Sequence, residues 1–158
     1  MPNIVLTRID NRLIHGQVAT SWVQYSGANL LLVPNDSIAT DEMRQNLMNM
    51  AAPQGVQTRY FTLEKTINII HKAASRQLIA IIAETPQDVL KLVEGNVPIK
   101  EVNIGNMHME QGKHQISKSV CVDEEDIKAF KRLNELGVKL YIQRVPTESK
   151  EDLISLLK

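Results

Sequence analysis

Short apolar runs and stretches of helical period alternate along the whole chain. Residues 4–6, 30–33, 59–61, 78–83, 102–104, 120–122 and 138–142 read as strands. Between them, Val18, Trp22 and Val23 recur at helical spacing up to Gly27, and Met43, Leu47, Met50 and Ala51 share one helix face until Pro53 and Gly55 break it. Leu63, Ile67, Ile70 and Ala74 mark a third helix with Thr62 as its N-cap. Thr85-Pro86 opens a fourth, and Asp123 starts a fifth that carries Ile127, Phe130, Leu133 and Leu136 and stops at Gly137. Pro146 and Thr147 lead into a last helix bearing Leu153, Leu156 and Leu157.

Strand and helix in strict alternation predict right-handed βαβ units. The expected fold class is α/β: a single domain over residues 1–158, with an open, mostly parallel, doubly wound sheet of about seven strands and helices on both faces. Residues 78–83 are continuously apolar, as a strand covered on both faces requires. Such sheets bind ligands at the carboxyl ends of their strands. The loops after Leu6, Val33, Phe61, Ala83 and Ile104 are therefore where chemistry is expected.

The first of these loops is the most unusual stretch. Between a buried strand and a helix it places Arg8, Asp10, Arg12 and His15, followed by Gly16 and Gln17. Arginine forks suit phosphate oxygens. A helix entered at Gly16 offers unpaired N–H groups and a positive dipole end, and glycine lets an anion approach the main chain. A neutral imidazole is nucleophilic near pH 7, and a P–N bond keeps a high transfer potential. On residue types alone two readings stand side by side: an anion cradle around a nucleophilic histidine, or a structural histidine with two arginines paired to Asp10.

Charge and composition narrow the alternatives. Eighteen basic and eighteen acidic residues give a net charge of zero, so no global field draws nucleic acid and none is expected as a partner. A lone cysteine, Cys121, forms no internal disulfide. The apolar runs fall far short of the ~20 residues that span a bilayer, and the N-terminus lacks a basic stretch leading into an apolar core. A cytoplasmic chain without direct membrane insertion is expected. His108 and His114 lie in a polar loop without a third ligand at fixed spacing, so no metal and no cofactor are expected. Neither G-x-G-x-x-G nor G-x-x-x-x-G-K-[ST] occurs, which removes the usual dinucleotide and nucleotide cradles.

The run Arg-Ile-Asp-Asn-Arg-Leu-Ile-His-Gly-Gln-Val from Arg8 to Val18 resembles the active-site signature of IIB components of the mannose/fructose/sorbose phosphotransferase family. Pro34-Asn35-Asp36, Asn103-Ile104-Gly105-Asn106 with Gly112-Lys113, and Gln143-Arg144-Val145-Pro146 extend the resemblance over essentially the whole chain. It implies a protein-histidine–sugar phosphotransferase. His15 would accept a phosphoryl group, through Nδ1, from a phosphorylated IIA protein and pass it to a sugar held by the membrane components IIC and IID. Arg12 would be the phosphate ligand and Asp10 its catalytic neighbour. Arg8, Gly16 and Gln17 would join in binding phosphate, and Asn35 and Asp36 would line the rim. The segment from Gly105 to His108, with Gln115-Ile116, is closest to the N-acetylgalactosamine/galactosamine branch. The resemblance implies peripheral association with the permease and allows a homo-oligomer. The rival function is a non-catalytic regulatory module that binds a phosphorylated ligand through Arg8 and Arg12.

Overall fold

The structure, a computed structural model, describes residues 2–157. In chain order its elements are β1 (Asn3–Asp10), α1 (Gly16–Ser26), β2 (Leu30–Pro34), α2 (Glu42–Ala51), β3 (Gln57–Phe61), α3 (Leu63–Ile69), β4 (Leu78–Ala83), α4 (Pro86–Glu94), β5 (Glu101–Asn106), β6 (His114–Gln115), β7 (Cys121–Val122), α5 (Glu124–Glu135), β8 (Lys139–Ile142) and β9 (Glu151–Asp152). Seven strands form one sheet in the order β3-β2-β4-β1-β5-β8-β9; all neighbours run parallel except β8 and β9.

The period of two in the central strands divides the core into two layers. Leu30 and Leu32 of β2, Ile79 and Ile81 of β4, and Ile9 of β1 pack on the side of α3, α4 and α5, around Leu63, Val89, Leu92, Phe130 and Leu133. Leu31 and Val33, Ala80 and Ile82, and Leu6 pack on the other side with Trp22 of α1 and Met48 of α2. Helices thus cover both faces, as the alternation of elements predicts. On the α1 side, β5 offers only Asn103 and Gly105, which alternate with its core residues Val102 and Ile104. That gap is where a charged side chain enters.

Three sequence expectations change. Residues 120–122 do not join the main sheet. Cys121–Val122 pairs antiparallel with His114–Gln115 in a small hairpin, and the seventh strand of the sheet is β9. Nor does the segment after Pro146 form a helix. Glu151 and Asp152 pair with Ile142 and Tyr141, and only a 3-10 turn, Ile154–Leu156, follows. Pairing with the free edge of β8 satisfies this backbone instead, and docking the strand leaves Leu153 fully buried. α3 also ends at Ile69 and tightens into a 3-10 turn, Ile70–Lys72, which leaves Ala74 outside.

β1 runs further than residues 4–6. Its ladder with β4 continues to Ile9, and Asp10 still pairs with Asn106 of β5. Arg8 and Asp10 are therefore strand residues. The helices that follow β1 and β5 lie on opposite faces of the sheet, so the crevice between the two carboxyl ends is a topological switch point.

Candidate functional site

Asp10 is the hub of this crevice. Its carboxylate is buried and accepts from the Arg12 main-chain N–H at 3.0 Å, from Arg12 Nε at 3.1 Å and from Arg12 Nη2 at 3.2 Å. The first bond is the local turn that aspartate favours after a strand. The other two hold the exposed Arg12 side chain in a fork. Arg8 Nη2 stands 3.6 Å from Asp10 Oδ2, and His15 Nε2 stands 4.0 Å from the same oxygen.

The chain between them is strained in a defined way. Leu13 has φ of +61°, unusual for a bulky side chain, and Gly16 has φ of +41°. Burial of Leu13 and the Leu13 N–H to Asp10 carbonyl bond of 2.9 Å hold the turn. The Leu13 carbonyl then faces His15 Nδ1 at 3.0 Å. A carbonyl can only accept, so in this orientation Nδ1 carries the proton and Nε2 the lone pair. Nε2 has no hydrogen-bond partner and no solvent contact. Nδ1, the nitrogen that the resemblance implies, is thus not free to attack as the ring stands. The ring as a whole is not sealed; its side chain is 27% exposed.

His15 is also the N-cap of α1, with an extended backbone and no side-chain cap, and the first turn carries no acidic residue. The exposed amides of Gly16 and Gln17 are therefore unclaimed by a capping carboxylate, which leaves them and the helix dipole for an anion. An open hollow beside the ring is lined by Arg12, His15, Gly16, Arg44, Leu47 and Met48.

Arg8, expected at the phosphate, is turned into the scaffold in this structure. It is buried, and its Nη1 and Nη2 donate to the carbonyls of Gln143 and Arg144, both at 2.8 Å. Its guanidinium lies 4.7 Å from the centre of the Trp22 ring, whose Nε1 donates to the same Arg144 carbonyl. Burial lowers its pKa to about 10, with Asp10 opposing the fall, so it stays charged at neutral pH. Gly105 makes the berth: a Cβ there would stand 1.9 Å from Arg8 Nη2. The rim residues also turn inward to the scaffold. Asn35 is buried, accepts from the N–H groups of Ser37 and Ile38, and donates to Glu84. Asp36 accepts from the Leu63 N–H at the start of α3. Neither lines the hollow beside His15.

The signature resemblance did not single out Arg44, Leu13 or the role of Gly105. A glycine inside a strand is the one available signal, since it marks close approach of another group. Among the described residues no group of three or more metal-ligating side chains assembles; His108 instead pairs with Glu110 at 3.0 Å. No helix among them is long and apolar enough to cross a membrane.

A family profile described as "PTS system sorbose subfamily IIB component" matches residues 4–158. The chain belongs to the sorbose-subfamily IIB components of the phosphotransferase system. This IIB component is 54% identical to N-acetylgalactosamine-specific phosphotransferase enzyme IIB component 2 of Escherichia coli K12, over 99% of its own length and 100% of the relative's. It is 39% identical to the mannose-specific EIIAB component of the same organism, over 98% of its length but 48% of that longer protein. Among solved structures it resembles N-acetylgalactosamine-specific IIB component 1 of Escherichia coli with a TM-score of 0.93 at 51% identity, covering 96% of this chain and 99% of that one. The IIB domain of the Klebsiella pneumoniae sorbose permease gives a TM-score of 0.93 at 37% identity, covering 98% and 95%.

Proposed function

We propose that His15 takes a phosphoryl group from a phosphorylated IIA protein and hands it to an amino sugar, N-acetylgalactosamine or galactosamine, held by membrane components IIC and IID. The observation that carries this reading is the half-open His15 imidazole at the uncapped start of α1, with Nε2 4.0 Å from an Asp10 carboxylate that also grips Arg12. The identity to N-acetylgalactosamine-specific relatives supports the sugar class. The protein works on the cytoplasmic side, docked on the permease.

The chemistry follows from the contacts. A movement of roughly 1 Å brings Nε2 to hydrogen-bond distance of Asp10. The reacting tautomer then carries its proton on Nε2, held by Asp10, and the lone pair on Nδ1, which leaves the Leu13 carbonyl. Giving up that one neutral hydrogen bond costs about 1 kcal/mol. Nδ1 forms a new P–N bond as the P–N bond to the donor's histidine breaks, and the donor nitrogen keeps its electron pair. Arg12 and the amides of Gly16 and Gln17 balance the charge on the three equatorial oxygens. Onward transfer reverses the roles: the sugar hydroxyl attacks, its proton leaves to solvent, and His15 returns neutral.

The test is incubation with the general phosphotransferase proteins, a IIA protein and labelled phosphoenolpyruvate. Acid-labile, base-stable label should appear on the chain and vanish in His15→Ala with the fold retained. Arg12→Ala should slow transfer by roughly 10²–10³-fold. Spectra of ¹⁵N-histidine protein should show phosphorus coupling at Nδ1. Label that survives in His15→Ala refutes the assignment, and tight phosphate binding without any covalent label establishes the regulatory-module reading.

A further inference from the structure

The sequence pattern places Met43, Leu47 and Met50 on one face of their helix, and the structure turns that face outward, with the three side chains at 75%, 61% and 82% exposure. Only Met48 of the α2 methionines is buried. The three exposed side chains stand at i, i+4 and i+7, so they form one continuous ridge. That ridge borders the His15 hollow, because Leu47 belongs to both. Arg44, one residue along the same helix, lines the hollow with Arg12, and its guanidinium forms no ion pair among the described residues.

We infer that α2 is the docking helix for the phosphorylated IIA protein, with the Met43-Leu47-Met50 ridge as its apolar contact and Arg44 as the guanidinium that meets the incoming phosphoryl group. This rests on the function proposed above. Any donor must bring its phosphohistidine within in-line reach of His15, so its surface necessarily covers the ground bordering the hollow. Charge selects the donor over the permease. The donor arrives carrying a phosphoryl of about −2 charge, and an unpaired guanidinium on the outer wall complements it. The permease arrives with a neutral sugar hydroxyl and brings no such charge. Three flexible apolar side chains flanked by arginines also suit a partner that must leave after each transfer, since methionine repacks readily and a small apolar centre holds only transiently.

The experiment compares wild type with Met43→Glu and Met50→Glu, which alter exposed positions outside the hollow. Three rates are measured: labelling from phosphorylated IIA over a concentration series, labelling of His15 by phosphoramidate, and transfer from the labelled chain to N-acetylgalactosamine in permease vesicles. The inference predicts that half-maximal labelling needs at least tenfold more IIA, while the phosphoramidate and vesicle rates stay at wild-type values. Arg44→Ala should lower the maximal rate from IIA. Unchanged IIA dependence in both glutamate variants overturns the inference. A loss confined to the vesicle step also overturns it and assigns the ridge to the permease. Wild-type protein labelled by neither donor brings down the proposed function itself, an outcome distinct from failure of the ridge alone.

Discussion

Residue by residue, the site depends on side chains that never touch the proposed phosphoryl group. Gly105 is the sharpest case, because its missing side chain is the space that the Arg8 guanidinium occupies. Gly105→Ala should force the guanidinium off the Gln143 and Arg144 carbonyls and cost ~3 kcal/mol, from overpacking plus lost charged hydrogen bonds. Urea denaturation measures this; an unchanged midpoint would mean that Arg8 has a second berth. The run from Arg8 to Val18 made much of the site legible, since motif and residue chemistry both point to His15, Arg12 and Asp10. The buried setting of Arg8, by contrast, is hidden from the sequence, where the apolar pattern ends the strand at Leu6. Two charged residues inside a buried strand break that pattern, although β-pairing continues through them. Arg44 lay out of view because nothing along the chain shows that α2 borders the hollow.

At the level of elements, the carboxyl ends of β2 and β4 gather Asp36, Glu84 and Asp88 beside the start of α4. Burial first, then the charge of Glu84, push Asp88 up to about 6, with Asp36 adding to the rise and the Thr85 hydrogen bond and Lys91 opposing it. The folded chain therefore binds this proton more tightly than the unfolded chain, whose aspartate titrates at about 3.9. Between about pH 4 and pH 6 the native state holds more protons, so Asp88 makes stability fall as pH rises through that window. Asp88→Asn should gain melting temperature relative to wild type on going from pH 4 to pH 7, and parallel melting curves at all pH values would contradict it. Elements with strong local signals were legible: Thr62, Thr85 and Asp123 all cap the helices that they were expected to start. Asp123 adds a reciprocal bond with Asp126. The last segment was not legible, because its leucines fit a helical period equally well, and pairing with β8 across the sheet decided the outcome. In α2 the periodicity marks a shared face but not its surroundings: Met43, Leu47 and Met50 face outward, and each forgoes roughly 1.5–3 kcal/mol of burial.

For the molecule as a whole, two natural reporters lie inside the core. Trp22, on the inner face of α1, is 2% exposed, and Cys121 is buried in the hairpin beside β5. Emission from Trp22 should be blue-shifted, and a thiol reagent should reach Cys121 only through opening of the fold. If the chain unfolds in one cooperative step, the two signals change at the same denaturant concentration. Separate midpoints would reveal that the hairpin opens before the α1 layer. The α/β class and the sheet of about seven strands were legible because alternation of two periods specifies layers, whereas the identity of the seventh strand depends on contacts far apart in sequence. The same distance governs how the site comes into being. Arg8 and Trp22 are fastened to the carbonyls of residues 143 and 144, more than 120 positions downstream. A ribosome has therefore finished the His15 segment long before it makes the groups that brace it. In nascent chains at that stage Arg8 and Trp22 still lack these acceptors, so the strand end that leads into the His15 turn is fastened only once the C-terminal segment has been made.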